Sequence, residues 1–230
     1  MPGERPQRAP QERAVGRMPA RKFQQQDRRQ RRASVKKADV FLNIPYDGRF
    51  ENLLLAYIAG ISAFGFSPRA TLEIPFSQRR LERILSLIAS SQYSVHDLSR
   101  VELDRTAPRT PRFNMPFELG LTVGMGNPKH AWIVCETRRH RVKKSLSDID
   151  GTDVYIHDGT VRGVFRELRN AFVRNRRQPS VVQMMQIYRI LRLNFAGILQ
   201  KAGARDPFNA RVFLDLCVLA SATADDLVIP

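Results

Sequence analysis

From Asp39 onward the chain alternates short apolar runs with longer segments of helical periodicity. The run DVFLNI (39–44) stops at Pro45, Tyr46, Asp47 and Gly48. Phe50, Leu53, Leu54, Tyr57, Ile58 and Ile61 then recur at the three-and-four spacing of a helix face, which Gly65 closes. PRATLE (68–73) reads as a second strand, and Leu81, Ile84, Leu85 and Ile88 as the stripe of a second helix. YSVHDLS (93–99) is a third strand, followed by the charged, proline-broken loop RVELDRTAPRTPR (100–112). A helix starts near Asn114, with Pro116 tolerated in its first turn. AWIVCE (131–136) has the apolar continuity of a strand covered on both faces. DVYIH (153–157) is a fifth strand, and Val161, Val164, Phe165, Leu168 and Phe172 mark the helix after it.

This rhythm predicts an α/β domain over residues 38–176, with five parallel strands, right-handed crossovers and helices on both faces of the sheet. Residues 177–230 break the rhythm and predict a C-terminal helical extension. Val181, Met184, Met185, Tyr188, Leu191, Phe195 and Ile198 share one helical face, and Phe208, Val212, Leu216 and Leu219 another, with Asp206-Pro207 as its expected cap. Two such stripes must pack on the α/β domain or on a second copy of the chain, so a homo-oligomer through these helices is one expectation.

Charge adds a third segment. Twelve basic and three acidic residues fall in positions 1–37, so +9 of the net +16 belongs to a stretch with almost no large apolar residues. Such a segment buries too little surface to offset the entropy of ordering, which predicts a disordered basic tail. A weak nucleic-acid contact through its arginines is the functional counterpart. Cys135 and Cys217 both lie in apolar runs, as free thiols do in a reducing compartment. With no stretch near the ~18 apolar residues of a membrane helix and no apolar signal-peptide core, the expectation is a cytoplasmic protein without membrane contact.

In open parallel sheets, ligands sit beyond the carboxyl ends of the strands. The first strand delivers Asn43, Tyr46, Asp47 and Arg49 there, the third delivers Asp97 and Ser99, and the helix after the long loop delivers Asn114 and Glu118. Glu118 stands among Phe117, Leu119 and Leu121. It is either a carboxylate stabilised by the helix dipole or a ligand-facing group. Neither GxGxxG nor GxxxxGK[ST] nor GxSxG is present. His96, His130, His140 and His157 lack metal-ligand spacing. No metal and no resident cofactor is therefore expected, and carboxylates remain the candidates for chemistry. His96 and His157 read as packed strand residues, and Gly120 and Gly124 as a close approach of their helix to the sheet.

VFLNIPYD, SVHDLS and FNMPFELG, in that order on successive strand–helix units, resemble the superfamily joining TIR domains and nucleoside 2-deoxyribosyltransferases. The resemblance covers roughly residues 39–173 and implies a flavodoxin-like sheet. It also implies an enzyme acting on the N-glycosidic bond of a nucleotide, with NAD as a possible substrate and a setting in antiviral or toxin signalling. It gives Glu118 the catalytic role and Asp97 a supporting one. Asn43, Tyr46 and Asp47 take the place of the family's first ligand-binding loop. NIPYDGRF replaces the small polar loop usual in TIR domains. The chemistry is coherent: cleavage passes through an oxocarbenium-like centre that one carboxylate can stabilise or trap, and Arg49, Arg100 and Arg112 could meet phosphates. Two other readings stay open: a non-catalytic nucleotide-binding or self-assembling module, and a nucleic-acid-associated protein acting through its tail.

Overall fold

The run Leu53–Ala63 decides much of the arrangement, because a helix that is apolar all round needs cover on every side. The computed structural model describes residues 37–73, 79–101, 103 and 107–227. In it this run lies in α1 (Glu51–Ala63), and every residue from Leu53 to Ala63 is buried. Beneath it lies one sheet of five parallel strands, β1 (Asp39–Asn43), β2 (Ser67–Ala70), β3 (Tyr93–Asp97), β4 (Ala131–Glu136) and β5 (Val154–Ile156), in the order 2-1-3-4-5. That is the flavodoxin-like order, with its switch point between β1 and β3.

The remaining helices are α2 (Arg80–Ser90), α3 (Asn114–Gly124), the short α4 (Arg141–Ser145), α5 (Val161–Ala171), α6 (Val181–Ala202) and α7 (Ala210–Leu227). One sheet face, with Val40, Leu42 and Val95, packs against α1 and α5. The other packs through Phe41 on Ile84, Leu87 and Ile88 of α2, and through Val134 in a cluster with Met115 and Leu119 of α3. α6 and α7 form a third layer over α1: Met184, Ile187, Leu191, Val212, Phe213 and Leu216 are fully buried in its cluster. Both C-terminal stripes are thus used within the chain. A Ser180–Gln183 capping box starts α6 and Gly203, at φ 61°, ends it.

Several expectations shift locally. The second strand ends at Ala70 rather than Glu73. The Glu73 carboxylate accepts from Ala70 N and Arg69 Nε, turning residues 71–73 into a 3-10 turn. The cap of α7 is Asn209, whose Oδ1 accepts from Arg211 N at 2.8 Å, while Asp206 only closes a turn onto Phe208 N. Gly120 and Gly124 are exposed with open space where a Cβ would stand, so they do not bring α3 close to the sheet. Lys37, read with the tail, pairs with Asp225 on α7 at 2.7 Å. Residues 1–36, on which the rest of the expected tail falls, lie outside the described residues.

Gly163 is a close-approach position. A Cβ there would lie 1.9 Å from the His157 carbonyl oxygen and 2.3 Å from Asp158 Oδ1. Gly163→Ala is expected to lower stability by at least the ~1–3 kcal/mol of an overpacked core site. Chemical denaturation reads this directly, and an unchanged midpoint would mean that the loop before α5 yields freely.

Candidate functional site

At the β1/β3 switch point a cleft of about 110 Å³ opens at the carboxyl edge of the sheet. β1 and the turn after it supply Asn43, Ile44 and Tyr46, the turn after β2 supplies Thr71, and α2 supplies Arg80. Arg112, Asn114, Met115 and Glu118 come from the loop before α3 and from its first turns. Typical small-molecule sites measure ~300–1,000 Å³, so this volume suits part of a nucleotide rather than a whole dinucleotide.

Glu118 is the chemically distinctive wall residue. It is only 6% exposed, and its carboxylate has no hydrogen-bond partner among the described residues. α3 begins at Asn114 and has no acid in its first turn, so Glu118 lies beyond the turn where the dipole acts strongly. Burial pushes its pKa up to about 7, with the Arg80 guanidinium pulling the other way. A buried carboxylate without partners, beside a cation and a cleft, is costly unless something else uses it.

Tyr46 closes one side. Its hydroxyl lies 2.9 Å from Thr71 Oγ1, and burial raises its pKa well above the ordinary phenol value, so it stays neutral. Its ring packs on Phe208, 5.8 Å between centroids, so the C-terminal extension braces this wall. Asp47 does not line the cleft. It accepts from Arg49 N, from Arg100 Nε at 3.1 Å and from Arg112 Nη1 at 3.3 Å, tying the turn after β1 to the loop before α3. Arg112 reaches the cleft wall while held this way. Arg49 is exposed and outside the lining.

Asp97 and Ser99 are not brought to the cleft. Successive strand residues face opposite sides of a sheet. His96 faces the α3 side, where Asn43 donates to it, so Asp97 faces α1. Fully buried, its carboxylate accepts from Tyr57 Oη at 2.7 Å, Ser99 N at 2.9 Å and His157 Nε2 at 3.0 Å. Burial alone would raise the Asp97 pKa, but these donors prevail and hold it below its usual value. Ser99 Oγ and Asp97 both meet the same ring nitrogen, Nε2 of His157. A nucleophilic triad needs the acid and the serine on different nitrogens, so this is a buried structural knot that ties β3 to the end of β5.

Sequence reasoning missed Thr71 and Arg80, which reach the site only because β2 is placed beside β1. It also missed a buried polar chain behind the cleft, Asn43–His96–Ser94–His130, with contacts of 2.8, 2.8 and 2.9 Å. The alternation of Ser94 and His96 along one strand face was the available signal. Among the described residues no helix is long and apolar enough to cross a membrane. The chain matches no family model, and neither a curated protein nor a solved structure aligns with it.

Proposed function

We propose that the cleft takes the reacting ribosyl end of a nucleotide, the remainder lying outside it, and that Glu118 acts on its N-glycosidic bond, with NAD or a related nucleotide as substrate. The observation that carries this reading is the Glu118 carboxylate itself: buried, without a hydrogen-bond partner, and set at the switch point of a parallel sheet. The resemblance of VFLNIPYD, SVHDLS and FNMPFELG to TIR domains and deoxyribosyltransferases supports the same chemistry.

In NAD the leaving nicotinamide is already cationic, so the C–N bond breaks with its electron pair passing to the ring nitrogen and no strong general acid is required. The ionised Glu118 stabilises or traps the oxocarbenium-like carbon, and water or another acceptor completes the reaction. Its low-dielectric surroundings make that charge more effective than it would be in water. Arg80 and Arg112 at the cleft wall supply donors for a phosphate. The setting is a reducing cytoplasm, in which Cys135 and Cys217 stay as thiols, their pKa values raised by burial. A role in antiviral or toxin signalling goes with the resemblance.

The test is incubation of the purified full chain with NAD and a panel of nucleosides, followed by mass spectrometry. Release of the free base, with a rate that rises about tenfold per pH unit below about 7 and levels above it, is the expected result. Intact substrates in the presence of measurable binding would instead favour a nucleotide-binding module without catalysis.

A further inference from the structure

Asn43 ends β1 and pairs in register with His96 on β3, so both side chains fall on the α3 face of the sheet. Asn43 Nδ2 donates to the Met115 carbonyl oxygen at 2.8 Å and to His96 Nδ1 at 2.8 Å. A carbonyl only accepts, so the Met115 contact fixes which end of the amide is nitrogen. Both N–H groups are then used, and the amide oxygen is the polar atom of Asn43 left without a partner among the described residues. Asn43 is 3% exposed and forms a wall of the cleft.

The groups behind it hold this orientation. His96 accepts at Nδ1, so its Nε2–H donates to Ser94 Oγ at 2.8 Å, which leaves the Ser94 hydroxyl to donate to His130 Nε2 at 2.9 Å. His130 Nδ1–H donates to the Ser91 carbonyl oxygen at 2.9 Å. Backbone carbonyls terminate the chain at both ends, and every donor between them has an acceptor. Burial, with His130 nearby, lowers the His96 pKa to about 3, in keeping with a neutral ring whose Nδ1 accepts.

Met115 and Glu118 are three residues apart on α3, one turn of the same helix face. Asn43 therefore abuts the turn that carries Glu118. Resting on the proposed glycosidic chemistry, we infer that the Asn43 amide oxygen is a fixed acceptor for the sugar hydroxyl adjacent to the anomeric carbon, so the cleft takes ribosyl rather than 2-deoxyribosyl nucleotides. Glu118 at the anomeric carbon leaves the neighbouring ring positions to the wall it shares with Asn43. A substrate lacking the hydroxyl covers the Asn43 oxygen without pairing it. His96 is a positioning residue for this contact.

The experiment measures binding of nicotinamide mononucleotide and of its 2′-deoxy analogue to the full chain by calorimetry. The ribosyl compound is expected to bind about 10- to 100-fold more tightly, and Asn43→Ala to abolish the preference. Should Asn43→Ala fail to fold, two His96 variants give the same information. His96→Asn keeps an acceptor near the position of Nδ1 and is expected to keep the preference, whereas His96→Gln places it too far out and is expected to lose it. Equal affinities in the wild type, a preference that survives Asn43→Ala, or one lost equally in both His96 variants overturns the assignment. Binding of neither compound overturns it as well, and NAD cleavage assayed in parallel reports separately on Glu118.

Discussion

Glu118→Gln is expected to lower turnover of the cleaved nucleotide by at least ~10²-fold, because removing one positioned electrostatic group from a transition state typically costs ~2.7–4 kcal/mol. The same substitution is expected to raise stability at alkaline pH, which gives the experiment its sign. Burial lifts the folded-state pKa from 4.5 to about 7. Between these values the native protein holds a proton that the unfolded chain has released, so stability falls as pH rises through that window. Above it the penalty is complete, ~3 kcal/mol on the order of the shift. Glutamine carries no charge to bury, so the variant has a flat profile there. It should match the wild type near pH 4.5 and exceed it at pH 8. A structural, dipole-stabilised Glu118 predicts the opposite pairing, with intact turnover and a small loss of stability. Steady-state rates and denaturation curves at two pH values on both proteins decide between the two, and full activity in the variant would end the case for Glu118.

Leu191→Ala is expected to destabilise the chain by ~2–5 kcal/mol, the range for truncating a fully buried leucine. That is a large share of the ~5–15 kcal/mol separating a domain from its unfolded state. Leu191 belongs to the layer that covers α1, whose residues from Leu53 to Ala63 are all buried. A chain ending at residue 178 would bare that helix and is expected to be insoluble. Leu193, two residues along at 82% exposure, is the control, and its change to alanine should stay within ~0.5 kcal/mol. Equal midpoints for the Leu191 and Leu193 variants would show that the third layer adds nothing to the stability of the sheet.

The two predictions draw on different parts of what the sequence carries. The five strands and the main helices were legible because each is a run of apolar residues at its own period, and period depends only on local backbone geometry. Glu118 was legible as an oddity, a carboxylate in an apolar helix. Leu53, Tyr57 and Ile61 were legible as one face of a helix, but the burial of every residue from Leu53 to Ala63 came only with the layer at Leu191 and Leu216, stripes that could equally have met a second copy.

What the chain placed around Glu118 was decided elsewhere. Asp97 and His96 are neighbours in sequence, yet alternation along β3 sends His96 to the α3 side with Asn43, while Asp97 is spent on Tyr57 and His157. Which side becomes the site depends on where α3 packs, and nothing within β3 states that. Thr71 and Arg80 enter the cleft because β2 is hydrogen-bonded to β1, and strand order is a property of the crossovers. Asp47 looked like a ligand group and is taken up by Arg100 and Arg112, more than fifty residues away. The sequence by itself determined the strands and main helices, their succession along the chain and the carboxylate out of place in one of them. Only the tertiary structure decided which polar groups satisfy one another and which are left facing the cleft, because hydrogen bonds between distant residues leave no period in the chain.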